Sequence, residues 1–152
     1  MTTPEIRFYS DSAQKNLNHE IFSSVAEQWA SAICRAGLKE KLERGKPVKK
    51  LEKNKISQIR KFYDEALRIA SCQRDGEVYD NILPFIKMLN AKAAYAMGRN
   101  LITAEFSEFL KKSIGQIDAN NPQSLELFLN FFEAFMGYYK FEETKYKGND
   151  NE

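Results

Sequence analysis

The sequence predicts an all-α chain folded as a single compact bundle of about five helices, and three observations predict it. Apolar residues recur at three- and four-residue spacing in five separate windows, and no stretch makes a convincing strand. Glycine and proline fall between those windows, as at Gly37, Gly45 and Pro47, and Gly76. At 152 residues, 43% of them hydrophobic and 29% charged, the chain fits one soluble domain with one core.

Residues 1–17 show no sustained period and read as an N-terminal arm or tail; the bundle domain is expected over 18–141. The first helix follows Asn18, with Ile21, Val25, Trp29, Ile33 and Ala36 on one face and Gly37 as its C′ residue. The run LKEKLERGKPVKKLEKNK is then too charged for a core element, so residues 44–56 are expected to form a basic loop. Ser57 is a credible N-cap for the second helix, whose buried side carries Ile59, Phe62, Tyr63, Ala66, Leu67, Ile69 and Ala70. A third helix is expected over about Ile82 to Gly98, with Pro84 tolerable only in its first turn. It is apolar nearly all round, which suits a central position.

The fourth helix follows Thr103, with Phe106, Phe109, Leu110, Ile114 and Ile117 at amphipathic spacing. Pro122 can open the fifth, LELFLNFFEAFMGYYK, which keeps one polar stripe of Glu126, Asn130, Glu133, Gly137 and Lys140. Residues 142–152 are expected to be a disordered tail.

Charge is where the sequence points toward function. Between Arg35 and Lys61 stand eleven basic residues against three acids, a local net charge of +8, so the remainder carries −6 under a total of +2. Such asymmetry points to a nucleic acid or an acidic surface as partner; a solvated basic linker is the plainer reading.

Several chemistries lack their residues. His19 is the only histidine, Cys34 and Cys72 are not paired as C-x-x-C, and no phosphate-cradling glycine motif occurs. No carboxylate pair sits in an apolar enclosure that would tune a general acid. The expectation is no enzyme, no metal, no cofactor and no small-molecule substrate. No apolar run approaches the ~20 residues of a membrane span, and the N-terminus lacks a signal-peptide pattern. With two cysteines in helical patterns, a cytoplasmic protein with reduced thiols is expected.

Three blocks carry a family resemblance: SQIRKF at Ser57 to Phe62, LPFIKMLNAKAAYAMGR at Leu83 to Arg99, and FFEAFMGYYK at Phe131 to Lys140. In this order they resemble the small subunit of the type III-A CRISPR effector, the Csm complex, over roughly residues 55–140. The resemblance implies a helical, non-catalytic subunit present in several copies. Its partners would be other effector subunits, including further copies of itself, and the guide RNA and target RNA. Cleavage and nucleotide synthesis would belong to other subunits. In guided effectors base pairing reads sequence while protein holds phosphates and shape.

The candidate RNA-backbone contacts are therefore Lys49, Lys50, Lys53, Lys55, Arg60 and Lys61, with Lys92 and Arg99 as a second patch and Lys140 as a third. Lys92, Tyr95, Ala96 and Arg99 fall at i, i+3, i+4 and i+7, one helical stripe. The competing reading makes Lys92 and Arg99 snorkelling side chains, Tyr95 a core residue, and Arg60, Asp64 and Arg68 a salt-bridge ladder. The alternative function is a helical protein–protein adaptor with no nucleic-acid role, using surplus apolar residues of the fifth helix as its interface. A DNA-binding regulator fits less well, because no helix pair presents a polar recognition helix.

Overall fold

The computed structural model describes residues 2–146, so the part of the expected tail from 147 onward lies outside the described residues. A π-turn, Ile21–Val25, runs directly into α1 (Ala26–Ala36), and Ile21, Val25, Trp29 and Ile33 are buried as their spacing predicts. Gly37 ends the helix, donating its N–H to the carbonyls of Ile33 and Cys34. Its own carbonyl accepts from Glu52 at 2.8 Å and Lys53 at 3.1 Å. A Cβ at position 37 would stand 2.3 Å from the Lys53 carbonyl oxygen, so this approach requires glycine.

The fold is predominantly helical but not all-α. The expected basic loop contains a strand and its turn: β2 (Lys46–Leu51) pairs antiparallel with β1 (Leu38–Glu43) just before it, from Leu38 opposite Leu51 to Glu43 opposite Lys46. Arg44 and Gly45 both have positive φ, 52° and 77°, as a two-residue type I′ turn demands. Lysines at alternate positions hide the usual apolar alternation, which is why the segment reads as loop.

The remaining elements are α2 (Ile56–Arg74), α3 (Tyr79–Lys87), α4 (Leu89–Gly98), α5 (Ala104–Ile114) and α6 (Gln123–Thr144). The expected third helix is thus two, sharing Met88 as cap, and it begins a turn early. Pro84 consequently lies inside α3, where its missing N–H interrupts the hydrogen-bond ladder. Ser57 is not the N-cap of α2. Lys55 occupies that position, and the Glu143 carboxylate accepts from the Ile56 N–H at 3.4 Å, an acid at the positive end of the helix. Glu143 is available because α6 continues through residues 142–144, where the sequence predicts the tail to begin.

α6 packs against α1 and α2, and α5 adds Phe106 and Phe109 to the same cluster. The rings of Phe109 and Phe135 stack at 4.2 Å, with Phe131 and Phe132 around them. Leu125, Phe128, Leu129, Phe131, Phe132, Phe135 and Tyr139 are all buried. Most of the surplus apolar surface assigned to an interface is therefore core, with Met136 and Tyr138 partly buried against it. The polar stripe from Glu126 to Lys140 is exposed, Glu133 included.

The N-terminal segment closes the other end. Ile6, Phe8 and Tyr9 are buried, the Trp29 indole donates to the Pro4 carbonyl, and Phe8 meets Phe131 edge-on. Asn54 joins the elements beneath the hairpin. Fully buried at φ 59°, it donates through Nδ2 to Ile33 O and Thr103 Oγ1 and accepts the Thr103 N–H. Its backbone N–H reaches Leu101 O, and its carbonyl accepts the Tyr139 hydroxyl.

Candidate nucleic-acid interface

Two helical stripes face each other across a groove of about 570 Å³. From α2 come Gln58, Lys61, Phe62 and Glu65; from α4 come Lys92, Tyr95, Ala96 and Arg99, with Leu101 at the end. Both sets follow i, i+3, i+4, i+7 spacing, so each lies along one helix face. Leu89, Ala93 and Ala96 are buried where α4 meets the core, Leu89 and Ala96 at the floor of the groove, and Lys92, Tyr95 and Arg99 are left exposed. Tyr95 is 70% exposed, a correction to its reading as core.

The end of α4 fixes Arg99. Asn100 takes the left-handed conformation at φ 62°, its N–H bonds Met97 O, and the Leu101 N–H bonds Ala96 O. This is a Schellman closure, with Asn100 rather than Gly98 as its left-handed residue. Arg99 is the C-cap, a cation at the negative helix end, and its guanidinium lies 5.9 Å from the Tyr95 ring centroid.

Glu65 supplies the groove's acid. Its carboxylate accepts two 2.8 Å hydrogen bonds from Arg68 and one of 2.9 Å from Lys92. Those bonds hold its pKa down to about 2. Lys92 is thus tied to α2 across the groove, and Arg68 turns to Glu65 instead of completing the expected ladder with Asp64. The other half of that ladder forms, with Arg60 Nε 3.9 Å from Asp64.

The nine candidate cations fall into separate places. Lys61, Lys92 and Arg99 converge on the groove, joining residues from what the sequence suggests are two patches. Lys49 and Lys50 are neighbours on β2 and so occupy opposite faces of the hairpin. Lys53 and Lys55 lie between the hairpin and α2, at the foot held by Gly37 and Asn54. Arg60 is about 100° round α2 from Lys61 and does not line the groove. Lys140 lies on α6, 3.5 Å from Glu143. Sequence reasoning missed Gln58 and Glu65 as groove residues, although their spacing with Lys61 and Phe62 matches the α4 stripe.

Among the described residues, no cluster of three or more His, Cys, Asp or Glu is placed to hold a metal ion. No helix there is long and apolar enough to cross a membrane. The profile of the Csm2 Type III-A family matches residues 38–145, more than two thirds of the chain. The chain belongs to the Csm2 Type III-A family. A Csm2 chain is the structural small subunit of the type III-A CRISPR effector and works with other Csm subunits. The match takes in the hairpin and both walls of the groove and leaves residues 1–37 outside. No curated protein sequence and no solved structure matches the chain.

Proposed function

We propose that this Csm2 chain is a non-catalytic, cytoplasmic subunit that stacks in several copies along the effector and holds the backbone of guide or target RNA in the α2–α4 groove. One observation carries the reading. Lys61, Lys92 and Arg99 reach one open groove from two helices, beside an exposed tyrosine ring. Cations on a rigid wall neutralise phosphates without reading bases, and an aromatic ring accepts any base by stacking. That is the division of labour a guided effector needs.

The test is made in the assembled effector, with a Lys61→Gln, Lys92→Gln, Arg99→Gln triple variant. Three lost phosphate contacts on a single strand should reduce the slope of log K against log salt by about 2. Tyr95→Ala should weaken binding with little change of slope, since stacking is worth about 1–3 kcal/mol per base. A triple variant that assembles normally and holds target RNA as wild type does at every salt concentration refutes the groove.

A further inference from the structure

The β1–β2 hairpin stands away from the core. Of its twelve strand residues only Leu38, Val48, Lys50 and Leu51 are even half-buried. A two-stranded hairpin alone is marginal in water, so side-chain chemistry that opposes pairing is informative. The register sorts the side chains by face. Leu38, Glu40 and Leu42 share one face with Leu51, Lys49 and Pro47; Lys39, Lys41 and Glu43 share the other with Lys50, Val48 and Lys46. Leu38, Glu40 and Lys49 line a cleft with Arg35 and Tyr146, so the first face meets the body near its base. On the second, outward face Val48 and Lys50 are half-buried and the other four residues are exposed.

The outward face therefore carries four lysines and one glutamate. Lys39 stands directly opposite Lys50, a like-charge pair that costs stability. The nearby acids offset this only weakly. Glu52 lies 3.9 Å from Lys39 and 3.6 Å from Lys41, Glu43 contacts Lys50, and every one of these side chains is at least a third exposed. Such counter-ions exchange readily for others.

We propose that Lys39, Lys41, Lys46 and Lys50 form a second phosphodiester-backbone site, distinct from the groove, and that the hairpin is an arm laid along an RNA strand. The face has one apolar side chain, Val48, and no aromatic anchor, so it lacks the desolvated centre that a protein partner would need. It does have a repeat. Lys39 and Lys41 are about 6.7 Å apart along the strand, close to two steps of the roughly 3.4 Å axial phosphate spacing of a stacked nucleic-acid strand. Three of the four lysines, Lys39, Lys41 and Lys46, lie outside the set the sequence suggests. The site rests on the chain being an RNA-contacting subunit but shares no residue with the groove.

The experiment uses the full chain and a fluorescent oligouridylate, with anisotropy followed between about 50 and 200 mM salt. A Lys39→Gln, Lys41→Gln, Lys46→Gln, Lys50→Gln variant should lose about 2–3 from the salt slope, with unchanged helical circular dichroism. A second variant replaces residues 38–51 with a short Gly-Ser linker. Gly37 and Glu52 are already hydrogen-bonded, so the core should survive, and the same loss is expected. The groove triple variant should lose its own share, and combining the two sets should add. Failure of the two sites is distinguishable. Loss in the groove variant alone overturns the hairpin site; loss in the hairpin variants alone overturns the groove and leaves the hairpin. Wild type that binds no oligouridylate at the lowest salt also overturns it. So do hairpin variants that bind RNA normally yet fail to enter the effector, since the face would then meet a subunit.

Discussion

Replacing Asn54 should reverse the usual ranking of alanine and glycine. In the Asn54→Ala variant the Thr103 N–H loses its acceptor, Thr103 Oγ1 loses a donor, and the Ile33 carbonyl keeps only the Gly37 N–H. Three hydrogen bonds at about 1 kcal/mol each, with part of a desolvation penalty for the stranded N–H, give about 3–4 kcal/mol. Alanine at φ 59° adds about 1 kcal/mol of left-handed strain, for a total near 4–5 kcal/mol. Asn54→Gly loses the same bonds without that strain and should cost about 3–4 kcal/mol.

For a chain of this length each kcal/mol moves Tm by about 2–4 °C, so alanine should lower it by about 10–15 °C and glycine by a few degrees less. Urea unfolding with an unchanged m-value measures the difference directly. An alanine variant as stable as wild type, or a glycine variant less stable than the alanine one, would refute the reasoning. RNA binding below the transition should change little, because Asn54 lies beneath the hairpin foot and touches the groove only through the Leu101 backbone.

Glu65→Gln tests the clamp on Lys92. The carboxylate's pKa is depressed in the fold, to about 2 from an ordinary 4.5, so its stabilisation is present above about pH 4.5 and lost as pH falls toward 2. Urea midpoints of wild type and Glu65→Gln should therefore converge over that window, and at neutral pH the variant should bind RNA more tightly because Lys92 is released. Cys34 is buried, and burial, with Glu142 and Glu143 nearby, pushes its thiol up to about 11, whereas Cys72 is only half-buried. A thiol reagent should label one cysteine in the native chain and two in urea; rapid double labelling would contradict the packing. Gly37→Ala must displace the Lys53 carbonyl, and a loss of about 1–3 kcal/mol is expected by the same urea assay.

Legibility in the sequence followed the strength of the period. Ile21, Val25, Trp29 and Ile33 repeat every four residues and are buried; Phe106, Phe109, Leu110 and Ile114 keep three- and four-residue spacing on α5 and are buried too. Where side chains repeat without contrast, the sequence does not tell which face is buried. On α4 the stripe of Lys92, Tyr95 and Arg99 is visible, but Tyr95 reads as core because its neighbours Ala93, Ala94 and Ala96 hide which face turns inward. The hairpin lacks contrast too: both of its faces are charged, and only the Arg44–Gly45 turn with its two positive φ values reveals it. Residues 4–9 have no period because they pack as an extended segment through Ile6, Phe8 and Tyr9.

Charge counting found the cations but not their acids, and the acids decide what each cation can do. Arg60 beside Asp64 and Lys140 beside Glu143 are pairs within one helix turn, a spacing that could be read in advance. The Lys92–Glu65 pair spans 27 residues, and no local pattern announces it. It also differs in consequence. The exposed Arg60–Asp64 pair adds little to stability and leaves its cation close to solvent. Glu65 instead holds Lys92 against α2 by one edge of a carboxylate already shared with Arg68, so an incoming phosphate must compete for that lysine while Lys61 and Arg99 stand ready. Such competition favours a ligand with several phosphates in succession over a single anion, because only the former gains the flanking contacts at the same time. A direct consequence is that inorganic phosphate at millimolar concentration should not displace the Lys92–Glu65 pair, whereas an RNA of a few nucleotides should. Chemical shifts of the Lys92 ammonium and Glu65 carboxylate, followed during both titrations, would read the difference. Equal displacement by phosphate alone would show that the clamp does not select for a polymer.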